Sequence, residues 1–165
     1  MKKHEFRNGK GDDEMTITIV AERPDSVDAV QLIDELEAVL SPLYPQESRH
    51  GYDVQKLIQQ GVAFFVVRYN GAAAGCGGVQ LVAQEYGELK RMYVRPKYRG
   101  LGLAKALINH LAEHTRAHGV PCLRLETGIH QTEAIGLYER WGFQQIGPFG
   151  PYKHDPLSLY YEKII

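Results

Sequence analysis

Cysteine is scarce: the 165-residue chain has two, Cys76 and Cys122, both inside strand-like stretches. That number cannot make a disulfide framework. Two buried free thiols in a reducing cytoplasm are expected, with a single disulfide the alternative. Long apolar runs are missing too. Val62 to Val67 has the length of a strand and falls far short of a bilayer span, so no membrane partner is expected. The seven histidines form no HExxH motif, and there is no CxxC; no metal site is expected. Net charge is only −1, which removes any global pull toward nucleic acid. Residues 1–14 are polar and lack the apolar core of a signal peptide; they read as a flexible tail before one domain over 15–165. No repeat, low-complexity segment or linker divides the rest.

What remains is ordinary for a folded domain: 44% apolar and 24% charged residues, enough for one sizeable core. Met15 to Glu22 alternates and is rich in Thr and Ile, a first strand. Pro24-Asp25-Ser26 opens a helix whose apolar face is Leu32, Ile33, Leu36 and Leu40, stopped at Ser41-Pro42. A loop through Tyr44 to Asp53 precedes a short helix over Val54–Gln59. Asn70-Gly71 between two apolar runs predicts a hairpin, because both central positions of its turn need positive φ. Glu88 to Val94 is a further strand. Ala104, Leu107, Ile108 and Leu111 mark a helix that Gly119-Val120-Pro121 ends. After the strand Cys122–Thr127, Ala134, Leu137, Tyr138 and Trp141 share one helix face closed by Gly142; FQQIG and LSLYYEKI form a last strand pair. The order predicts an α/β (α+β) fold, a mixed sheet with helices on its faces.

Between strand and helix lies Arg99-Gly100-Leu101-Gly102, amid Lys90, Arg91, Arg95, Lys97 and Lys105. A serine or aspartate there would cap the helix and consume a backbone donor. Glycines leave the amides free at the positive end of the helix dipole, where an anion can reach them. Arg99 adds a guanidinium suited to phosphate oxygens. The stretch therefore reads as a diphosphate cradle, with a plain tight turn the alternative. It is no P-loop, since GxxxxGK[ST] is absent, and Lys105 stands where a dinucleotide fingerprint needs its third glycine.

Arg99-x-x-Gly102-x-Ala104, after a strand ending Val94-x-Pro96, resembles the Gln/Arg-x-x-Gly-x-Gly/Ala signature of the GCN5-related N-acetyltransferases, the GNAT family. ETGIHQTEAIGLYERWGF is similar to that family's second block, a helix carrying Leu-Tyr and ending in Gly-Phe. The resemblance covers Thr16 to the C-terminus. It implies a mostly antiparallel central sheet of about seven strands with about four helices. It implies acetyl-coenzyme A as co-substrate. The diphosphate would lie on the backbone amides of Gly100, Gly102, Leu103, Ala104 and Lys105 beside Arg99, and the pantetheine arm along Met92 and Val94. Gln131 stands where the family often has asparagine against that arm. The oxyanion would meet the backbone N–H of Tyr93 or Val94.

Acetyl transfer to an amine needs the amine neutral. At pH 7 a lysine-like amine is neutral in about one molecule in 2,500, a cost of roughly 4.6 kcal/mol. The resemblance makes Glu88 the base, with Glu85 and Glu126 as weaker candidates and an ordinary strand glutamate the alternative. It makes Tyr138 the acid near the sulfur, although periodicity alone would place Tyr138 in the core. For the acceptor, His50 and Tyr52, with Arg49, lie on the first loop; Phe149, Tyr152 and His154 lie on GPFGPYKHDPLS. The expected acceptor is a small-molecule or amino-acid-like amine, attacked directly in a ternary complex since neither cysteine sits in a nucleophile motif. A protein lysine or N-terminus, or a non-catalytic acyl-coenzyme A sensor, is the alternative. The family is often dimeric, which makes a homodimer the expected assembly to test.

Overall fold

A computed structural model describes residues 6–7, 15–49 and 53–165 of the chain. The strands are β1 (Phe6–Arg7), β2 (Thr16–Ala21), β3 (Ala63–Tyr69), β4 (Ala72–Val82), β5 (Tyr86–Val94), β6 (Cys122–Gly128), β7 (Gln144–Ile146) and β8 (Ser158–Ile164). The helices are α1 (Val27–Leu40), α2 (Val54–Gln59), α3 (Leu103–Ala117) and α4 (Thr132–Arg140). The strands form one sheet in the order β1-β2-β3-β4-β5-β6-β8-β7. Within the tail expected over 1–14, only Phe6–Arg7 is described; it pairs with Ile17 and Thr16.

β3 is covered on both faces, and its side chains alternate accordingly. Phe65 and Val67 join the core under α3, with Leu103, Leu107, Ile108 and Leu111. Phe64 and Val66 join the core under α1 and α2, with Leu32, Ile33 and Leu57. Ser26 caps α1 by accepting from the Ala29 N–H at 3.2 Å. Asn70 and Gly71 take φ of 48° and 84°, the hairpin geometry expected of that pair.

β5 starts at Tyr86, two residues before the predicted start at Glu88, because Tyr86 and Gly87 already pair with Val82 and Leu81. Further along, Gly78 pairs with Lys90 and Cys76 with Tyr93, so Arg91 and Met92 together oppose Gly77. This is a β-bulge, and Arg91 sits at φ 53°. It changes which face the strand presents. Leu89 packs in the α3 core before the bulge, and Tyr93 packs against the α1 core after it. β4 accommodates the bulge with small residues. A Cβ at Gly75 would come within 2.5 Å of the Tyr93 carbonyl oxygen, which is backbone and cannot swing aside.

β5 and β6 run parallel and pair only at Gly87↔Leu123 and Glu88↔Arg124. Beyond those pairs they separate, while β6 continues its antiparallel pairing with β8 as far as Gly128↔Ser158. The resulting gap positions the site. Gly75→Ala is expected to lower unfolding free energy by about 1–3 kcal/mol through overpacking at the β4–β5 seam. Urea denaturation checks this; an unchanged midpoint would show that the seam has slack.

Candidate active site

Two cavities open at the gap and share the wall made by Leu36, Met92, Gln131, Ala134 and Tyr138. One is a groove of about 710 Å³ leading to the start of α3. The other is a smaller chamber of about 110 Å³ between α1, β5, β6 and Tyr152.

The groove ends at an unusual helix start. Gly102 is the N-cap of α3 at φ 79°, and it offers no side-chain cap. Gly100 also has φ 79°, and a Cβ at either glycine would meet nothing within 4 Å. The glycines therefore supply backbone conformation and open space rather than close packing. The first intrahelical bond runs from the Ala106 N–H to the Gly102 carbonyl at 3.0 Å. The amides of Leu103, Ala104 and Lys105 precede it and head the helix dipole. Met92, Tyr93 and Val94 line the same groove, as do Arg99, Gly100 and Gln131. Every residue expected to hold the coenzyme thus lies on one surface.

Two of them are partly committed to the protein itself. Arg99 Nε donates to the Val94 carbonyl at 3.1 Å, and its Nη1 lies 3.7 Å from Glu133 on α4. The arginine braces the turn as well as facing the groove. Gln131 Oε1 accepts from the Gly128 N–H at 3.0 Å, closing the turn between β6 and α4. A side chain one methylene longer than asparagine folds back onto its own loop. The basic cluster divides in the same way. Arg95 forks onto Glu35 at 2.9–3.2 Å and donates to the Ala73 carbonyl, fastening α1 to the sheet. Lys105 remains on the groove.

Tyr138 lines both cavities and is 6% exposed. Burial, reinforced by the Glu126 carboxylate, pushes its phenol well above the usual range, so it stays protonated at neutral pH. A buried hydroxyl at the junction of groove and chamber can donate to whatever reacts there. Its other face packs on Phe143, 5.5 Å between ring centres, so the core role read from periodicity also holds.

Glu88 is buried in the chamber wall. Lys90 Nζ lies 3.0 Å from it, and the Tyr152 hydroxyl donates to it. Glu126 lines the chamber from β6, whereas Glu85 is exposed in the β4–β5 turn and lines neither cavity. Of the expected acceptor residues, Tyr152 lines the chamber. Phe149 does not; it is buried against Tyr86, Tyr152 and Tyr160, with the Arg124 guanidinium 5.6 Å from its ring, and so anchors the loop that carries Tyr152. His154 is exposed and lines neither cavity. His50 and Tyr52 lie outside the described residues.

Tyr44 and Glu37 are additions to the predicted set. Tyr44 Oη accepts from the His130 N–H at 3.0 Å, in space that only a glycine at 128 leaves open. Glu37 lines the chamber from α1. It falls at i+4 from Ile33 and i+1 from Leu36, so a charge interrupting the apolar face of that helix was its signal in the sequence.

Comparison with known proteins decides the family. The model of the acetyltransferase (GNAT) family matches residues 31–143. The chain belongs to the GNAT family. This acetyltransferase is 44% identical over 148 residues to an IAA acetyltransferase of Azospirillum brasilense, covering 89% of this chain and 97% of that protein. It is 32% identical to an uncharacterised N-acetyltransferase of Bacillus subtilis, over 81% of this chain and 90% of the other. Among solved structures it resembles an acyl-CoA N-acyltransferase assignment from Klebsiella pneumoniae, at TM-score 0.76 and 36% identity, covering 90% of this chain and 97% of that one. It also shares the fold of the PaiA N-acetyltransferase of Thermoplasma acidophilum, solved with coenzyme A, at TM-score 0.73 and 17% identity over 92% of this chain and 100% of that one. The acetyltransferase is accordingly an acyltransferase enzyme with the mostly antiparallel sheet and flanking helices of its family.

The direction of the Tyr138 shift sets a pH expectation. A raised phenol pKa extends the protonated range, so kcat should show no alkaline loss from this residue below about pH 10. An alkaline limb near pH 8 that disappears in Tyr138→Phe would contradict this.

Proposed function

We propose that the enzyme transfers the acetyl group of acetyl-coenzyme A to a primary amine of a small molecule by direct attack in a ternary complex, within a single domain over 15–165. The observation that carries this reading is the open, uncapped start of α3 on the same groove that Tyr138 lines. The site fits a long ligand with anionic phosphates at one end and its reactive group at the other. The name of the A. brasilense relative supports a small-molecule acceptor.

In this reading the amides of Leu103, Ala104 and Lys105 hold the diphosphate. Backbone groups of Met92 and Val94, on the β5 edge that faces the gap, hold the pantetheine arm as an added strand would be held. The acetyl thioester supplies the activated carbonyl, and the protein positions it beside Tyr138. The backbone N–H of Tyr93 or Val94 takes the developing oxyanion. Glu88, oriented by Lys90 and Tyr152, accepts the amine's proton directly or through water. Tyr138 donates to the departing sulfur. The thiolate of a thiol with pKa about 8.5 is a weaker base than a phenolate, so a hydrogen bond suffices without full proton transfer.

Acetyl-coenzyme A should raise the melting temperature in a concentration-dependent way, and pooled amines should then release thiol. Failure of both would overturn the proposal. Tyr138→Phe should keep coenzyme affinity and lose kcat, and Glu88→Gln should lower kcat by about 10²–10⁴-fold. Gly102→Asp should weaken coenzyme binding at least about tenfold by setting a carboxylate against the phosphates. Unaltered affinity in that variant would refute the diphosphate assignment.

A further inference from the structure

The chamber has a second functional end, away from the chemistry. Glu37, Arg49 and Arg91 line the chamber and not the groove, whereas Tyr138 lines both. The three charged residues are therefore set apart from the junction where reaction would occur. Glu37 is shared by two guanidiniums. Arg49 Nη1 reaches its Oε1 at 2.9 Å and Arg91 Nη1 reaches its Oε2 at 3.0 Å. Arg91 is the more enclosed, its side chain 7% exposed. The bulge puts it there, turning Arg91 toward α1 at φ 53°.

Arg49 is left with an edge to spare. Its Nε is buried and has no hydrogen-bond partner. Nη1 is the nitrogen committed to Glu37, so Nε and the neighbouring Nη2 remain as a planar two-donor fork. A buried guanidinium donor without an acceptor is costly unless a ligand supplies one. A carboxylate matches that fork in shape and charge. Lys90, also in the chamber, already faces Glu88 at 3.0 Å. The chamber's volume of about 110 Å³ suits a small acid better than a bulky one.

We infer that the acceptor is an amino-carboxylate, its carboxylate held by the Nε–Nη2 edge of Arg49 and its amine directed toward Tyr138. Glu37 holds Arg49 in position, and Arg91 holds Glu37. The inference rests on the N-acetyltransferase reading and narrows its substrate to amines that carry an acid a short distance away.

The test uses the full chain with acetyl-coenzyme A and three matched sets of acceptors: the protein L-amino acids, their carboxamides and their decarboxylated amines. Thiol release gives kcat/KM for each. At least one amino acid should exceed its own carboxamide by about tenfold or more, the worth of one charge-assisted hydrogen bond. Arg49→Ala should erase that difference by raising KM for the acid, and Arg49→Lys should restore part of it. The thermal shift with acetyl-coenzyme A reports that each variant is folded. Carboxamides or plain amines that react as well as the acids would overturn the inference and leave N-acetyl transfer standing. A preference that survives Arg49→Ala would overturn it too. No reaction with any of the three sets, in protein that binds acetyl-coenzyme A, would overturn both.

Discussion

The site depends on two parallel strands that stop pairing early. β5 and β6 exchange hydrogen bonds only around Glu88 and Arg124 and then part. Strand separation leaves main-chain donors and acceptors without their usual partners, which is costly in a closed core and useful at a ligand's edge. Here the open edges face a cleft. β6 keeps its other neighbour, β8, so the sheet tolerates the gap without fraying. Helix α4 flanks the gap with Tyr138, and the groove and the chamber are its two sides. In a sheet paired along its whole length this chain would keep its core and lose its site.

The bulge at Arg91 and Met92 has the second largest effect. One extra residue in β5 exchanges the faces of everything after it. It sends Arg91 to Glu37 on α1 and brings Tyr93 against the α1 core. Small residues along β4 make this possible, since Gly77 opposes both bulged positions. The acids of α1 are placed to meet the result: Glu35 takes Arg95, and Glu37 takes Arg91 and Arg49. A basic cluster that looks like one phosphate-binding patch in the sequence is divided between a structural brace, the chamber and the groove. Partly buried pairs of this kind fix geometry more than they add stability.

The C-terminal loop shows the same economy in aromatic contacts. Phe149 packs among Tyr86, Tyr152 and Tyr160, and Tyr160 donates to the Lys153 carbonyl at 2.9 Å. This holds Tyr152 where its hydroxyl reaches Glu88. Phe149 was expected at the acceptor and lines neither cavity; it supports Tyr152, which lines the chamber. Sequence proximity put both on one loop. Only packing separated the one that touches the chamber from the one that carries it.

Elements, their order and the uncapped start of α3 were legible in the sequence because each is set by local rules. Asn70-Gly71 dictates its own turn, the spacing of Leu107, Ile108 and Leu111 dictates a helix face, and glycines at 100 and 102 leave a helix start uncapped whatever surrounds them. Motif resemblance added the family and the place of Tyr138. The chamber was not legible, because its residues come from α1, β5, β6, α4 and the loops between elements, and nothing local links Glu37 to Arg91 or Tyr44 to Gly128. The bulge also escaped, since Lys90-Arg91-Met92 reads as plain strand and gains its left-handed residue only from the strand beside it. The sequence by itself therefore determined the scaffold and the glycine turn before α3, where interactions are close along the chain. The tertiary structure alone decided the gap, the chamber and the unsatisfied edge of Arg49, because charge pairing and strand register join residues far apart in it.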